Sequence, residues 1–205
     1  MENYSTRNRI FYKVRKTTIE MLQDRGFIVS DEDLQLPFNE FITRLNEGQI
    51  DIEATHSENN DICYVYFYLD SKNYGKKDLE KLKDEMETRY GDKKVNVIII
   101  LEDKPTAQLN KEINSEDYND YEIFLVKNLM INITKHVYVP RHEILKSKEE
   151  IDKVLEEFEC TRAQLPRYTT TDPVVRYYGL KPGDVCRIFR NNPMTGEEIY
   201  YRIVR

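Results

Sequence analysis

Residues 95–101 read Val-Asn-Val-Ile-Ile-Ile-Leu. A run this apolar and this rich in β-branched residues fits a strand covered on both faces, and it is far too short to cross a bilayer. Such a strand needs partners on its edges and helices over its faces, and the residues before it supply both. Residues 63–69 (Cys-Tyr-Val-Tyr-Phe-Tyr-Leu) form a second strand of aromatic and β-branched residues. Between the two, residues 76–90 carry Leu79, Leu82, Met86 and Tyr90 at helical spacing, with Gly91 after them. Strand, helix and strand in close order predict an α/β unit with a crossover connection.

The flanking segments extend this reading. Residues 5–25 place Ile10, Phe11, Val14, Thr18, Met21 and Leu22 on one helical face, and Gly26 supplies the left-handed stop. Residues 27–29 are a short extended piece. A second helix starts at Pro37 with Phe38, Phe41, Ile42 and Leu45 on one side, and residues 51–60 are polar and read as a loop. A further strand is expected around 128–134. Beyond Pro140 the character changes. Ser147 with Glu150 makes a capping box ahead of Ile151, Val154, Leu155 and Phe158. Asp172-Pro173 pairs an N-cap residue with proline at the first helical position, opening a short helix over 174–178 that ends at Gly179. Lys181-Pro182-Gly183-Asp184 is a turn, and residues 185–190 and 198–204 alternate around 191–196 as a terminal hairpin. The boundary falls near 132–142 and predicts two domains, 1–132 and 133–205.

Charge divides along the same line. The 205 residues carry a net charge of −6, but residues 1–132 hold 18 basic and 26 acidic side chains (−8) and residues 133–205 hold 13 and 11 (+2). Within 160–205, seven of the eight basic residues are arginines. Arginine makes planar, forked contacts where lysine acts as a point charge, so this segment reads as a docking module. The overall acidity excludes a protein that coats nucleic acid by bulk charge. Seven glycines argue against a glycine-rich nucleotide cradle. Cys63, Cys160 and Cys186 are odd in number and lack C-x-x-C spacing, which suits free thiols in a reducing, intracellular compartment. No secretory signal opens the chain.

Catalytic signatures are sparse. His56, His136 and His142 do not share ligand spacing, and no cofactor is expected. The one enzymatic pattern is a carboxylate followed by lysine after a strand, the arrangement by which metal-dependent nucleases hold a cation and orient water. Glu102-Asp103-Lys104 follows residues 95–101, but Asp70-Ser71-Lys72 and Asp92-Lys93-Lys94 match equally well. A chain one-third charged produces such triplets by chance. A restriction-type nuclease is therefore the alternative reading, and no catalytic residue is assigned.

The C-terminal third carries a long and idiosyncratic string. Asn132-Ile133-Thr134-Lys135-His136 and Val139-Pro140-Arg141-His142 come first. Gln164-Leu165-Pro166-Arg167, Asp172-Pro173-Val174-Val175-Arg176-Tyr177-Tyr178-Gly179-Leu180-Lys181 and Tyr201-Arg202 follow in order. These residues closely resemble the fifth subunit shared by eukaryotic nuclear RNA polymerases, whose C-terminal part corresponds to a small component of the archaeal RNA polymerase. Gln23-Asp24-Arg25-Gly26-Phe27 and Leu36-Pro37 resemble the N-terminal part of the eukaryotic form. The family's Thr-Pro-Ser-Ala loop is represented by Lys104-Pro105-Thr106-Ala107.

The resemblance implies an N-terminal α/β jaw with a restriction-endonuclease-like sheet and a small mixed-sheet assembly domain. It implies a non-catalytic subunit of a DNA-directed RNA polymerase. The assembly domain would dock on the largest subunit and meet neighbouring subunits, with the jaw beside the downstream DNA duplex. Contact with that duplex would be weak or indirect. No membrane and no homo-oligomer are expected. The candidate subunit interface is Gln164, Leu165, Pro166, Arg167, Asp172, Pro173, Val175, Arg176 and Tyr178. The DNA-proximal candidates are Lys104, Pro105, Thr106 and Ala107, with Lys76, Lys77, Lys81 and Lys83 on a solvated helix face paired to Glu80, Asp84 and Glu87. Low glycine with abundant Tyr, Asn, Lys and Ile suits a copy encoded by a large DNA virus. A cellular copy would be nuclear, and a viral one would act in host cytoplasm and virion.

Overall fold

The computed structural model describes residues 5–69, 74–91, 93–192, 194 and 196–205. Asp70, Ser71, Lys72, Asp92 and two positions of the terminal turn, all singled out above, lie outside the described residues. The chain divides into two compact units, Met1–Ile131 and Asn132–Arg205.

The first unit begins with helix α1 (Thr6–Asp24), capped by the Ser5 hydroxyl, which accepts a bond from Asn8 N. Strand β1 (Phe27–Val29), the short α2 (Asp31–Leu34) and α3 (Phe38–Glu47) follow. Gly26 turns the chain out of α1 at φ 91°, and the His56 ring stands 3.1 Å from where a Cβ would sit. Strands β2 (Ile52–His56) and β3 (Ile62–Tyr68), helix α4 (Lys76–Tyr90), β4 (Val95–Leu101), α5 (Ala107–Ile113) and β5 (Tyr121–Leu125) complete the unit. The strands form one sheet in sequential order, β1-β2-β3-β4-β5. The pairs β1–β2 and β2–β3 are antiparallel, while β3–β4 and β4–β5 are parallel.

Alternation along β3 and β4 sorts the core. Tyr64, Val97, Ile99 and Leu101 meet Leu79, Leu82 and Met86 of α4 and Leu109 of α5. Val65, Phe67, Ile98 and Ile100 are buried on the opposite face, where α1 brings Phe11 beside Phe67 and the Arg25 guanidinium lies over the Phe124 ring.

Two expectations fail here. Residues 51–60 are not all loop, because Ile52–His56 is a strand with Ile52 and Ala54 buried and Glu53 and Thr55 exposed. Only two apolar residues mark its inner face, too few to stand out against its polar neighbours. The strand expected around 128–134 is instead Tyr121–Leu125, and residues 126–128 and 133–135 are 3-10 turns. Segment 121–125 already occupies the free edge of β4. Leu129 and Asn132 are buried while Met130 and Ile131 are exposed, a spacing of three rather than two.

The second unit contains the turn Ile133–Lys135, β6 (Arg141–Leu145), α6 (Lys148–Glu157), β7 (Arg167–Tyr168), α7 (Pro173–Tyr177), β8 (Val185–Asn192) and β9 (Gly196–Val204). Its sheet runs β6-β8-β9-β7. The hairpin β8–β9 and the pair β6–β8 are antiparallel, and β7 is parallel to β9. The capping box at α6 is formed in both directions: Ser147 Oγ accepts from Glu150 N at 3.1 Å and Ser147 N donates to the Glu150 carboxylate at 3.4 Å. Ile151 and Val154 of α6 close over Leu145, Val185 and Ile203 with Leu165. Cys186, Ile188 and Val204 fall on the other face by alternation and are also buried.

Candidate functional site

The strings that carry the resemblance divide between core and surface in the second unit. Gln164 folds back on its own turn, its carboxamide oxygen accepting from Thr161 N at 2.8 Å and Thr161 Oγ1 at 3.0 Å. Leu165 is in the core. Pro166 and Arg167 are exposed, and Pro166 O accepts from Ile203 N at 2.9 Å, which ties the segment to β9. Asp172 caps α7, Oδ1 accepting from Val174 N at 2.8 Å, and Pro173 occupies the first helical position, exposed. Val174, Val175 and Tyr177 are buried, while Arg176 and Tyr178 are half-buried. Leu165 and Val175 therefore cannot contribute surface to a partner, because their side chains are consumed by the unit's own packing. The surface share of the candidate interface is left to Gln164, Pro166, Arg167, Asp172, Pro173, Arg176 and Tyr178.

A hydrogen-bonded hub holds α7 in place. Asn132, buried, donates from Nδ2 to Tyr177 Oη at 2.9 Å, and its Oδ1 accepts from Thr134 N at 3.0 Å and Thr134 Oγ1 at 2.7 Å. The sequence offers Asn132 only as part of a string, with nothing to mark it as a hub.

Across the sheet, arginines lie on aromatic rings. Arg141 is 4.6 Å from the Phe189 centroid, Arg190 5.1 Å from Tyr200 and Arg202 4.9 Å from Tyr168. Tyr168 donates its hydroxyl to His142 Nε2 at 2.9 Å, with His142 Nδ1–H bonded to Pro140 O at 2.7 Å. That pairing fixes the neutral tautomer. Burial is the main reason the imidazole sits below its ordinary range, with nearby Arg202 and Arg190 adding to the effect and the Pro140 carbonyl and Asp172 opposing it. Arg141, Arg167, Arg190 and Arg202 make no ion pair with a described residue. Their pairwise placement on rings was hidden in the sequence, since register alone brings Arg141 opposite Phe189.

In the first unit the Lys104–Ala107 loop follows β4. Lys104 is exposed, Pro105 half-buried, and Thr106 caps α5 by accepting from Leu109 N at 3.2 Å, with Ala107 opening the helix. Glu102, the carboxylate of the nuclease-like triplet, is bound by Arg7, whose Nη2 and Nε reach its two oxygens at 2.6 and 3.2 Å. The group a nuclease would use to hold a metal is thus neutralised by α1. Among the described residues, no group of three or more His, Cys, Asp or Glu could hold a metal ion.

The α4 lysines are partly engaged. Lys76 bonds Glu112 at 2.8 Å and lies 3.7 Å from Glu80, and Lys83 stands over the Tyr118 ring at 5.1 Å. A basic stripe that sequence reasoning missed runs along α1. Arg9, Lys13 and Lys16 are exposed, recur at four and three residues, and make no ion pair with a described residue. The i, i+4, i+7 spacing was the available signal. No described helix is long and apolar enough to cross a membrane.

Comparison with known proteins agrees at both ends of the chain. The family model for RNA polymerase Rpb5, N-terminal domain, matches residues 5–86, and that for RNA polymerase Rpb5, C-terminal domain, matches residues 131–204. The chain is 34% identical over 199 residues to DNA-directed RNA polymerases I, II, and III subunit rpabc1 of Dictyostelium discoideum, covering 96% of this chain and 97% of that protein. It is 29% identical over 205 residues to the corresponding RPABC1 subunit of Caenorhabditis elegans, covering 94% of each. It is also 29% identical over 198 residues to DNA-directed RNA polymerases IV and V subunit 5B of Arabidopsis thaliana, covering 95% of this chain and 89% of that one. Two consecutive family domains and a full-length relative above 30% identity make this chain a member of the Rpb5 family of RNA polymerase subunits.

Proposed function

We propose that this chain is a non-catalytic subunit of a multisubunit, nuclear-type DNA-directed RNA polymerase. The second unit docks on the largest subunit, and the first unit lies beside the downstream DNA duplex. The observation that carries the docking half is the set of guanidiniums on the second unit's sheet. Arg190 and Arg202 share one face of that sheet with half-exposed Tyr200, and Arg141 lies on the other face with half-exposed Ile199. All three are steadied over rings yet make no ion pair with a described residue. Arginine and tyrosine are the usual anchors of protein interfaces, and a cation preset on a ring loses less freedom on binding. The expected partner surface is acidic with apolar patches.

Nucleic-acid contact by the first unit falls to a few local cations, Arg9, Lys13 and Lys16 on α1 together with Lys104. Seven residues of helix separate Arg9 from Lys16, about 10 Å, and exposed cations along such a stripe suit backbone phosphates. Such contacts are sequence-independent and weaken with salt.

Tagged protein purified from its native cells should retain the largest polymerase subunit, and the double substitution Arg141→Glu with Arg190→Glu should release it. Failure of the unaltered protein to retain that subunit overturns the proposal. A photo-crosslinker at position 13 or 104 should label downstream DNA in a stalled elongation complex. Absence of labelling from both positions in an intact complex removes the DNA half alone.

A further inference from the structure

Strand β2 stops short of its neighbour. Its last ladder pair is Ile52 with Val65, so the C-terminal part of β3 has β4 on one side and, among the described residues, no strand on the other, and Leu69 continues that edge. Main-chain groups alternate sides along a strand, so Phe67 and Leu69 both face this open edge. Side chains take two of the four exposed groups. Asp51 Oδ1 accepts from Phe67 N at 2.9 Å, and Arg7 Nη2 donates to Leu69 O at 2.9 Å. Both caps are themselves fixed. Asp51 Oδ2 accepts from Tyr64 Oη at 2.8 Å, and Arg7 is bound to Glu102.

The inner two groups, Phe67 C=O and Leu69 N–H, have no partner among the described residues. They front a groove of about 480 Å³ whose other walls include Phe11 of α1, Leu45 at the end of α3, and Ile50, with the carboxamides of Asn8 and Asn46 on its rim.

An acceptor at one residue and a donor two residues later form the set that a single residue of a parallel strand satisfies, its N–H bonding the first and its C=O the second. An antiparallel neighbour would need two residues and would compete for the groups held by Asp51 and Arg7. The geometry points to this edge as the seat of a short extended segment from another polypeptide, running parallel to β3. The bonded residue lies opposite Tyr68, so the residues on either side of it direct their side chains into the groove. Phe11, Leu45 and Ile50 select apolar side chains there. Asp51 and Arg7 act as bookends that limit the added strand to this one bonded step. Strand addition of this kind takes affinity from the main chain and specificity from alternate side chains. The groove uses none of the residues assigned above to polymerase docking or to DNA.

The test selects random heptapeptides displayed on phage against the immobilised full-length chain. Recovered peptides should carry apolar residues two positions apart, and their synthetic versions should shift the Leu69 amide resonance in a 15N spectrum. Leu69→Pro, which removes the donor, should weaken binding about fivefold or more, the worth of one main-chain hydrogen bond. Leu45→Trp fills the groove from a half-exposed position and should abolish binding; it decides the matter if Leu69→Pro melts early. N-methylation of the one peptide amide aimed at Phe67 C=O should match the Leu69→Pro loss. The inference is overturned if no peptide is recovered or if recovered peptides are indifferent to both substitutions. A concentration-dependent dimer that protects the Leu69 amide would also overturn it, by making a second copy the occupant.

Discussion

The two units treat arginine in opposite ways. In the first, every described guanidinium except that of Arg9 is neutralised inside the unit. Arg15 bonds Asp33 Oδ1 at 2.5 Å and its carbonyl at 3.0 Å, Arg25 forks onto Glu122 with both bonds at 3.0 Å, and Arg44 gathers Glu32, Glu40 and Asp33. In the second, Arg187 is paired with Glu143, but Arg141, Arg190 and Arg202 rest on rings. A carboxylate pair uses up the donors of the fork. A ring takes only the face of the plane and leaves its N–H edge available. The same residue type thus consolidates one unit and prepares the other for a partner.

The sharpest way to break this contrast is Arg15→Ala. Arg15 is only 2% exposed, and its removal leaves the partly buried Asp33 with only the longer Arg44 contact at 3.8 Å for a cation. Loss of one partner of a buried pair costs about 3–5 kcal/mol. Urea titration followed by NMR should show resonances of the first unit lost early while those of the second persist.

Tyr177→Phe comes next, since it removes the hydroxyl that accepts from the buried Asn132 amide and should cost about 1–1.5 kcal/mol, read from resonances of the second unit. Asp172→Ala removes the α7 cap and should cost about 1 kcal/mol, with Asp172→Asn recovering most of it. Arg190→Ala should be the mildest for stability, below about 1 kcal/mol, while weakening retention of the largest polymerase subunit. Equal losses in both assays would erase the distinction between consolidating and docking arginines.

Acid should separate the units by sign. Burial raises the Asp51 carboxyl above its ordinary 3.8 despite bonds from Phe67 N and Tyr64 that act the other way. Its contribution is full below that ordinary value and is lost as the pH rises through the higher folded one. His142 is displaced downward from 6.5, so its contribution is present above 6.5 and is lost as the pH falls through the lower folded value. Asp51→Asn should therefore gain on the parent protein in the first unit's melting temperature as the pH rises from about 4 to 7. His142→Phe should flatten the acid-side decline of the second unit. Parallel shifts in both would be inconsistent with these assignments.

Elements whose signal is local were legible in the sequence. Helix Lys76–Tyr90 and strand Val95–Leu101 stand where periodicity and β-branching place them, and the Ser147 and Asp172 caps do what their side-chain chemistry dictates. What was not legible depends on distant partners. β2 is recognised only once β1 and β3 flank it, and β7 has two residues, defined by their pairing with β9. The candidate site follows the same division. The capping role of Asp172 could be read directly. The burial of Leu165 and Val175, the Asn132–Tyr177 bond and the open edge at Phe67 arise from long-range packing that no window of sequence contains.

The Asn132 hub also bears on where the chain can be cut. Its side chain joins the turn at Thr134 to α7, 45 residues later, so the second unit carries a structural residue at its first position. A recombinant fragment that starts at Ile133 would lack the donor for Tyr177, and one that starts a few residues earlier would keep it. Limited proteolysis that nicks before Asn132 should release a stable C-terminal piece, whereas a cleavage immediately after it should release one that unfolds.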